Sequence, residues 1–433
     1  MLSDRRPILL TNARIVDPSR DLDFAGDVLL ADGVIRDAKR GIGAAGVPEG
    51  TEIVDCRGKV VAPGLIDMRA FVGEPGAEYR ETLASASQAA AAGGVTTIVM
   101  RPDTTPVIDE PAMVDFVMRR ARDTAIVHLH TMAALTKGLR GEEMTEFGLL
   151  KAAGALAFTD GQHSVTNAQV MRRALTYARD FDALIVHHTE DPDLVGEGVM
   201  NEGEFAARLG LVGVPKAAET VMLERDVRLA ALSGARYHAA SITCAESLEV
   251  LRRAKDQGIA ITASCSINHV TLNENDVGSY RTFCKVTPPL RAEEDRKALV
   301  EALASGLVDI VMSDHDPQDV ETKRLPFAEA APGAIGIETM LSAGLRLVHS
   351  GEIQLAKLLA AMSAKPAEVL GLPGGSLRPG SAADVIVLDL DAPWVLDPNE
   401  LKSKCKNTPF DEARLQGRVV RTIVTGRTVY EFV

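Results

Sequence analysis

One pattern limits what this chain can fold into: short apolar runs alternate with amphipathic stretches across the middle of the sequence. The apolar runs are "KVVAPGLIDM", "TTIVM", "TAIVHLHTM", "GALAFTD", "ALIVHHTED", "ARYHAASIT", "IAITASCS" and "VDIVMSDH". Helical patterns such as "NAQVMRRALTYARDF", "AESLEVLRRAKDQG" and "EEDRKALVEALASG" follow them, and glycines close several of the helices as C-caps. Eight strand-then-helix units over about 250 residues are what a (β/α)8 TIM barrel requires. A doubly wound open sheet is the runner-up, but no GxGxxG follows its first strand. The α/β barrel is the expected fold.

The ends of the chain read differently. "ILLTNARIVD", "DVLLADGVIRD" and "TEIVDCRGKVVA" near the start, and "ADVIVLDLDAPWVLD" and "RVVRTIVTGRTVYEFV" near the finish, alternate like strands around Asp-Gly and Thr-Gly turns. Neither end has strands enough for its own sheet. Residues 1–62 and 370–433 are therefore expected to combine into one small β-sandwich domain, with the barrel over 63–369. A length of 433 residues with 46% hydrophobic and 25% charged side chains suits such a pair of domains. The net charge of −13 argues against nucleic acid or an anionic membrane as partner. The five cysteines are scattered without a CxxC pair, a reduced pattern that points to the cytoplasm. The opening "MLSDRRPILL" has too short an apolar run for a signal peptide, and no run approaches a membrane span.

In such barrels the chemistry sits at the C-terminal ends of the strands. Those ends carry Arg69 and Phe71, Arg101 and Asp103, His128 and His130, Asp160, His187 and His188, His238 and Ser241, and Asp314 with His315. Asp160, His188 and Asp314 could converge on a cation. Taken singly, each is better read as a helix cap or a loop hydrogen-bonding group. His187 should face the opposite way from His188 and pack toward a helix, because strand side chains alternate. Of His128 and His130, one is expected to face the barrel interior and hydrogen-bond locally, and Cys265 and Cys284 are read as small buried residues.

The chain also resembles the dihydroorotases, amidohydrolase-superfamily barrels of pyrimidine biosynthesis, over essentially its whole length. The motifs that carry this are "PGLIDM", "EPGAEYRET", "AAAAGGVTTIVM", "HHTEDPDL", "MNEGEFAARLGLVGVP", "KVTPPLRAEEDRKALVEAL", "SDHDP", "PGAIGIET", "GSLRPGSAADVIVLDLDAPW" and "KSKCKNTPF". The resemblance implies an H-x-H pair of metal ligands on the first barrel strand, where this chain has Arg69 and Phe71. It also implies a substrate-binding arginine at Gly73, an asparagine at Asp103, a ligand histidine at Ser241, an asparagine at Thr287 and a histidine at Gln318. What matches is Asp160, in the place of a bridging aspartate, His188, in that of a metal-ligating histidine, and Asp314, in that of the ligand and general base.

Ligands and substrate clamp are thus lost together, and a zinc hydrolase needs roughly three ligands to activate water. The resulting expectation is a non-catalytic homologue with no cofactor. As such homologues do, it would accompany aspartate carbamoyltransferase in a homo- or hetero-oligomer. The alternative is an active dihydroorotase or other cyclic amidohydrolase with one zinc held by Asp160, His188 and Asp314. A third reading is a ligand-binding sensor at the barrel mouth. Arg69 is expected to turn inward, within about 4 Å of Asp314 or Asp160, and to stand in for the lost charge, while Phe71 fills the space of an imidazole.

Overall fold

The computed structural model describes residues 6–432. Residues 1–5, part of the opening stretch judged too short for a signal peptide, lie outside it. Both ends of the chain meet in one eight-stranded sheet. Its N-terminal strands are β1 (Ile8–Asp17), β2 (Leu22–Ala31), β3 (Val34–Lys39), β4 (Glu52–Asp55) and β5 (Val60–Pro63). β1 runs antiparallel to β2, with a register shift between Leu10 and Ala13, and parallel to β4 through its first half and to β5 through its second. The sheet closes over its own core, where Leu10, Ile15, Val28 and Ile35 meet Val385, Val387 and Ile423 from the C-terminal strands. This is the β-sandwich.

Pro63 and Gly64 lead from β5 directly into the barrel. Its strands are β6 (Leu65–Ala70), β7 (Val95–Met100), β8 (His128–Thr131), β9 (Ile185–His188), and, after the short pair β10 (Met200–Asn201) and β11 (Gly213–Val214), β12 (Tyr237–Ala240), β13 (Ile261–Ser266) and β14 (Ile310–Met312). The strand expected in "GALAFTD" is reduced to Phe158, which bridges Ala133 on one side and Ile185 on the other. The ring closes where Phe71 N–H donates to the His315 carbonyl at 2.8 Å. Every residue of β6 and β7 is buried, which is why these segments read as continuous rather than alternating apolar runs. Met68, Val99, Met132, Val186 and Ile310 fill one core cluster, each large side chain contributing about 1.5–3 kcal/mol.

The outer helices begin and end on local signals. Thr82 and Ser85 form a capping box at the start of Leu83–Ala92, Asn167 caps Ala168–Arg179, and Gly306 at φ 81° ends Glu293–Ser305. The chain then returns to the sandwich through β15 (Val385–Val395), β16 (Arg414–Val424) and β17 (Arg427–Glu431). Between β15 and β16 it makes an excursion onto the barrel. There the Ser403 hydroxyl bonds Glu81, and Asn407 donates to the Gly333 carbonyl at 3.1 Å and accepts from Gln318 N–H at 3.1 Å. The C-terminal part therefore builds the rim of the mouth as well as the sandwich. Among the described residues no helix is long and apolar enough to cross a membrane.

Candidate functional site

Arg69 lies near the end of β6, and its side chain, 1% exposed, points into the barrel mouth. Its guanidinium donates to the Gly161 carbonyl at 2.8 Å and to Ser241 Oγ at 3.3 Å, and lies 3.6 Å from Asp314 Oδ1. Ser241 and Asp314 both sit at strand ends with positive φ, 60° and 53°, a conformation that strains a residue with a side chain. Burial, reinforced by Arg101, pushes the Arg69 pKa down to about 10 against the pull of Asp314, Asp103 and Asp316. The group stays charged at neutral pH.

A second cluster adjoins it. Arg101, just past β7, donates through Nε to Asp103 at 3.1 Å and lies 3.3 Å from Asp316. Burial opposes the Arg101 charge, yet Asp103, Asp316 and Asp314 together hold its pKa above the ordinary arginine value. Arg80 reaches the same carboxylate, with 2.6 Å to Asp316 Oδ1 and 2.6 Å to the Pro317 carbonyl. Gln162 and Gln318 amides donate to Asp316 as well, at 2.9 and 3.0 Å. Phe71 supplies a surface for both cations, the Arg80 guanidinium 4.1 Å and the Arg101 guanidinium 5.3 Å from its ring centre.

The opposite half of the mouth is built differently. His188, at the end of β9, directs Nε2 at Glu190 Oε2, 3.2 Å away, and the same oxygen accepts from Thr287 Oγ1 at 3.1 Å. Burial lowers the His188 pKa, while His188, Arg291 and Thr287 overcome burial and keep Glu190 a carboxylate. His188 Nδ1, Thr189 Oγ1, Glu190 Oε1, His269 Nδ1 and both amide atoms of Asn268 are buried without a hydrogen-bond partner among the described residues.

These positions answer several sequence expectations. Arg69 is near Asp314, not Asp160. Asp160 accepts from Thr136 N–H at 2.8 Å and from the Thr136 hydroxyl, so its two oxygens hold the loop after β8. Of the three residues that could converge on a cation, Asp160 bonds Thr136, His188 bonds Glu190 and Asp314 lies beside Arg69. Among the described residues no three His, Cys, Asp or Glu side chains form a group able to hold a metal ion. The residues present do not fit a zinc centre: a fixed guanidinium sits against Asp314, where the cation would have to be. Gly73 is not merely a missing side chain. A Cβ there would lie 2.1 Å from the Ala77 carbonyl oxygen, so the backbone has folded into the space a clamp residue would need. Asp103 is taken by Arg101 and Thr287 by Glu190.

His187 faces outward as expected, with Nδ1 2.6 Å from Asp226 on helix Ala217–Ser233 and Nε2 accepting from Val165 N–H at 2.8 Å. His128 pairs with Asp384 of the sandwich at 3.1 Å. His238 bonds Thr262 and Ser264, and burial followed by the charge of Arg69 drives its pKa down to about 3. Sequence reasoning missed Asp316, Arg80 and Glu190. All three lie inside motifs quoted above, "SDHDP", "EPGAEYRET" and "HHTED", but only the fold shows that Arg80 meets Asp316 and that Glu190 meets His188 and Thr287.

A barrel joined to such a sandwich is the architecture of the hydantoinase and dihydropyrimidinase amidohydrolases. An L-hydantoinase (dihydropyrimidinase) from Arthrobacter aurescens superposes with a TM-score of 0.89 at 25% identity, covering 98% of this chain and 96% of that one. A dihydropyrimidinase from Brevibacillus agri, at 20% identity and a TM-score of 0.85, shares the fold. A family model described as "Dihydro-orotase-like" matches residues 58–247. Proteins described as dihydroorotase from Syntrophus aciditrophicus and Citrifermentans bemidjiense are 42% and 41% identical, over 98% of this chain and 99% of theirs. The chain belongs to the dihydroorotase family.

Proposed function

We propose that this chain is a non-catalytic member of the dihydroorotase family, kept in pyrimidine biosynthesis as a structural companion of aspartate carbamoyltransferase. The observation that carries the loss of catalysis is Arg69, whose buried guanidinium lies 3.6 Å from the aspartate that would serve as ligand and general base. A metal hydrolase activates water with a cation that leaves one position open. A guanidinium fills the position; staying protonated at neutral pH, it can neither coordinate a water nor accept the proton that water must lose to become hydroxide. The closed backbone at Gly73 supports the same reading from the substrate side. The companion is inferred from the resemblance of the whole chain to the family.

Purified protein is expected to carry no stoichiometric zinc and to neither hydrolyse dihydroorotate nor cyclise carbamoyl aspartate above background. It should co-elute with aspartate carbamoyltransferase from the same cell and support its assembly. Chelator-sensitive turnover abolished by Asp314→Ala would overturn the first part, and independent elution of the two proteins the second. The rival reading is an active dihydroorotase with a reduced metal site, favoured by the full-length match to proteins bearing that name. Elemental analysis beside the assay separates the two.

A further inference from the structure

A cavity of about 560 Å³ opens at the seam between sandwich and barrel, and it shares no residue with the two clusters of the mouth. Small-molecule sites occupy roughly 300–1,000 Å³ and favour domain interfaces. Leu341 from the helix Met340–His349, Leu401 from the excursion and Val419 from β16 give it apolar walls. Trp394, Tyr430 and Phe432 add three rings. Aromatic side chains make up only 4% of the chain, so meeting three here, the single tryptophan among them, marks this seam as unlike the rest of the surface.

The rings hold a cation in place. The Arg418 guanidinium, half-buried on the same wall, lies 3.4 Å from the ring centre of Phe432 and 5.0 Å from that of Trp394, and it bonds Tyr430. Trp394 is itself fixed, its Nε1 donating to the Gly417 carbonyl at 3.1 Å. A ring under a guanidinium covers its face and leaves the N–H groups at its edge, the fork that grips a carboxylate. Neither Arg418 nor Lys402, the other cation of the wall, makes an ion pair among the described residues. Carboxylates line the cavity as well, but none of them neutralises Arg418. Glu431 pairs with Arg421. Glu338 accepts from the Lys402 and Ser403 amides at 2.7 and 3.0 Å, and burial lifts its pKa to about 7. Asp397 caps the turn at Asn399 and, like Glu400, is exposed to solvent. We propose that this cavity binds a small carboxylate with an aromatic body, its carboxylate on Arg418 and Lys402 and its ring against Trp394, Tyr430 and Leu341. The site needs neither a metal nor turnover, so it stands apart from the question of catalysis.

Trp394 is the only tryptophan, so its fluorescence reports on this cavity alone. The full chain is titrated at pH 6 with benzoate, phenylacetate and 3-phenylpropionate, and with benzyl alcohol and 2-phenylethylamine as uncharged and cationic controls. At least one carboxylate should change the emission to saturation, with both controls at least ten-fold weaker. Arg418→Gln should weaken that carboxylate at least ten-fold; because it alters the surroundings of Trp394, its affinity is read by calorimetry. Lys402→Glu, on an exposed side chain that does not endanger the fold, should weaken it at least three-fold. The proposal fails if no carboxylate saturates, if either control matches the best carboxylate, or if either substitution leaves its binding unchanged.

Discussion

On the side of the mouth built by β6, β7 and β14, Arg69, Arg80 and Arg101 face Asp103, Asp314 and Asp316. Across it, on the loops after β9 and β13, His188, Thr189, Glu190, Asn268 and His269 leave polar atoms unpartnered. The first half is not perfectly paired, since Arg69 Nε and Asp314 Oδ1 also lack hydrogen bonds, but every charge there has an opposite charge in reach. Both halves line one barrel and share its burial. The difference teaches that burial in one mouth does not by itself pair polar groups evenly. Where side chains of both signs could meet, they neutralised one another. Where only acceptors and neutral groups lie, several buried polar atoms have no partner among the described residues.

Asp316→Ala should break the paired half most severely. It removes the carboxylate that holds Arg80 and Arg101 and receives the Gln162 and Gln318 amides. Removing one member of a buried charge network costs about 3–5 kcal/mol, because the survivors stay buried and unpaired. Urea denaturation is expected to show a loss in the upper part of that range. Arg69→Met comes next, at about 3 kcal/mol. The smaller figure follows from the Arg69 pKa, which shows burial already working against its charge. A variant as stable as the parent would mean that Arg69 does not neutralise Asp314. The double change Arg69→His with Phe71→His should restore no hydrolysis, since Gly73 and Asp160 remain as they are.

Much of this was legible in the sequence, and the limit falls at a definable place. Strand-helix alternation specified the barrel, and the alternation at both ends specified the shared sandwich, because each reads a periodicity that burial imposes. Arg69 beside Asp314 was legible too, since both lie at strand ends that a barrel brings into one mouth. Asp160 bonds the Thr136 amide and hydroxyl, a partnership set by loop geometry that no spacing in the sequence reveals. Gly73 read as an absent arginine, whereas the obstacle is a carbonyl oxygen four residues on. Asp316 escaped notice because its partners come from β7, from the loop holding Arg80 and from the loop holding Gln162, which no local spacing connects.

Acid should distinguish the histidine-bearing half. His238 has an ordinary pKa of 6.5 when exposed and about 3 in the fold, so the unfolded chain takes up the proton first. Stability from this residue is therefore present above 6.5 and lost as pH falls toward 3. Between pH 7 and 5 it alone should account for about 2 kcal/mol of lost stability. His238→Gln should flatten the pH dependence by that amount, as read by denaturation at each pH. An unchanged slope would mean that His238 is solvated or charged in the fold.

The smallest effect is the most direct test of the contrast between the halves. Asn268 sits on the short helix Ile267–Thr271, fully buried, with neither amide atom hydrogen-bonded among the described residues. A buried amide that has lost its water and gained no partner destabilises the fold by about 1–3 kcal/mol. Asn268→Leu removes that penalty and adds apolar volume, which the packed surroundings resist by a comparable amount. The expected change is within about 1 kcal/mol, on the side of greater stability. Asp316→Ala deletes a carboxylate that Arg80, Arg101, Gln162 and Gln318 share, so the two substitutions should differ by several-fold in cost although both remove one buried polar side chain. If Asn268→Leu instead destabilises the protein as much as Asp316→Ala does, ordered water or another group must be bonding the amide. The second half of the mouth would then be as fully partnered as the first.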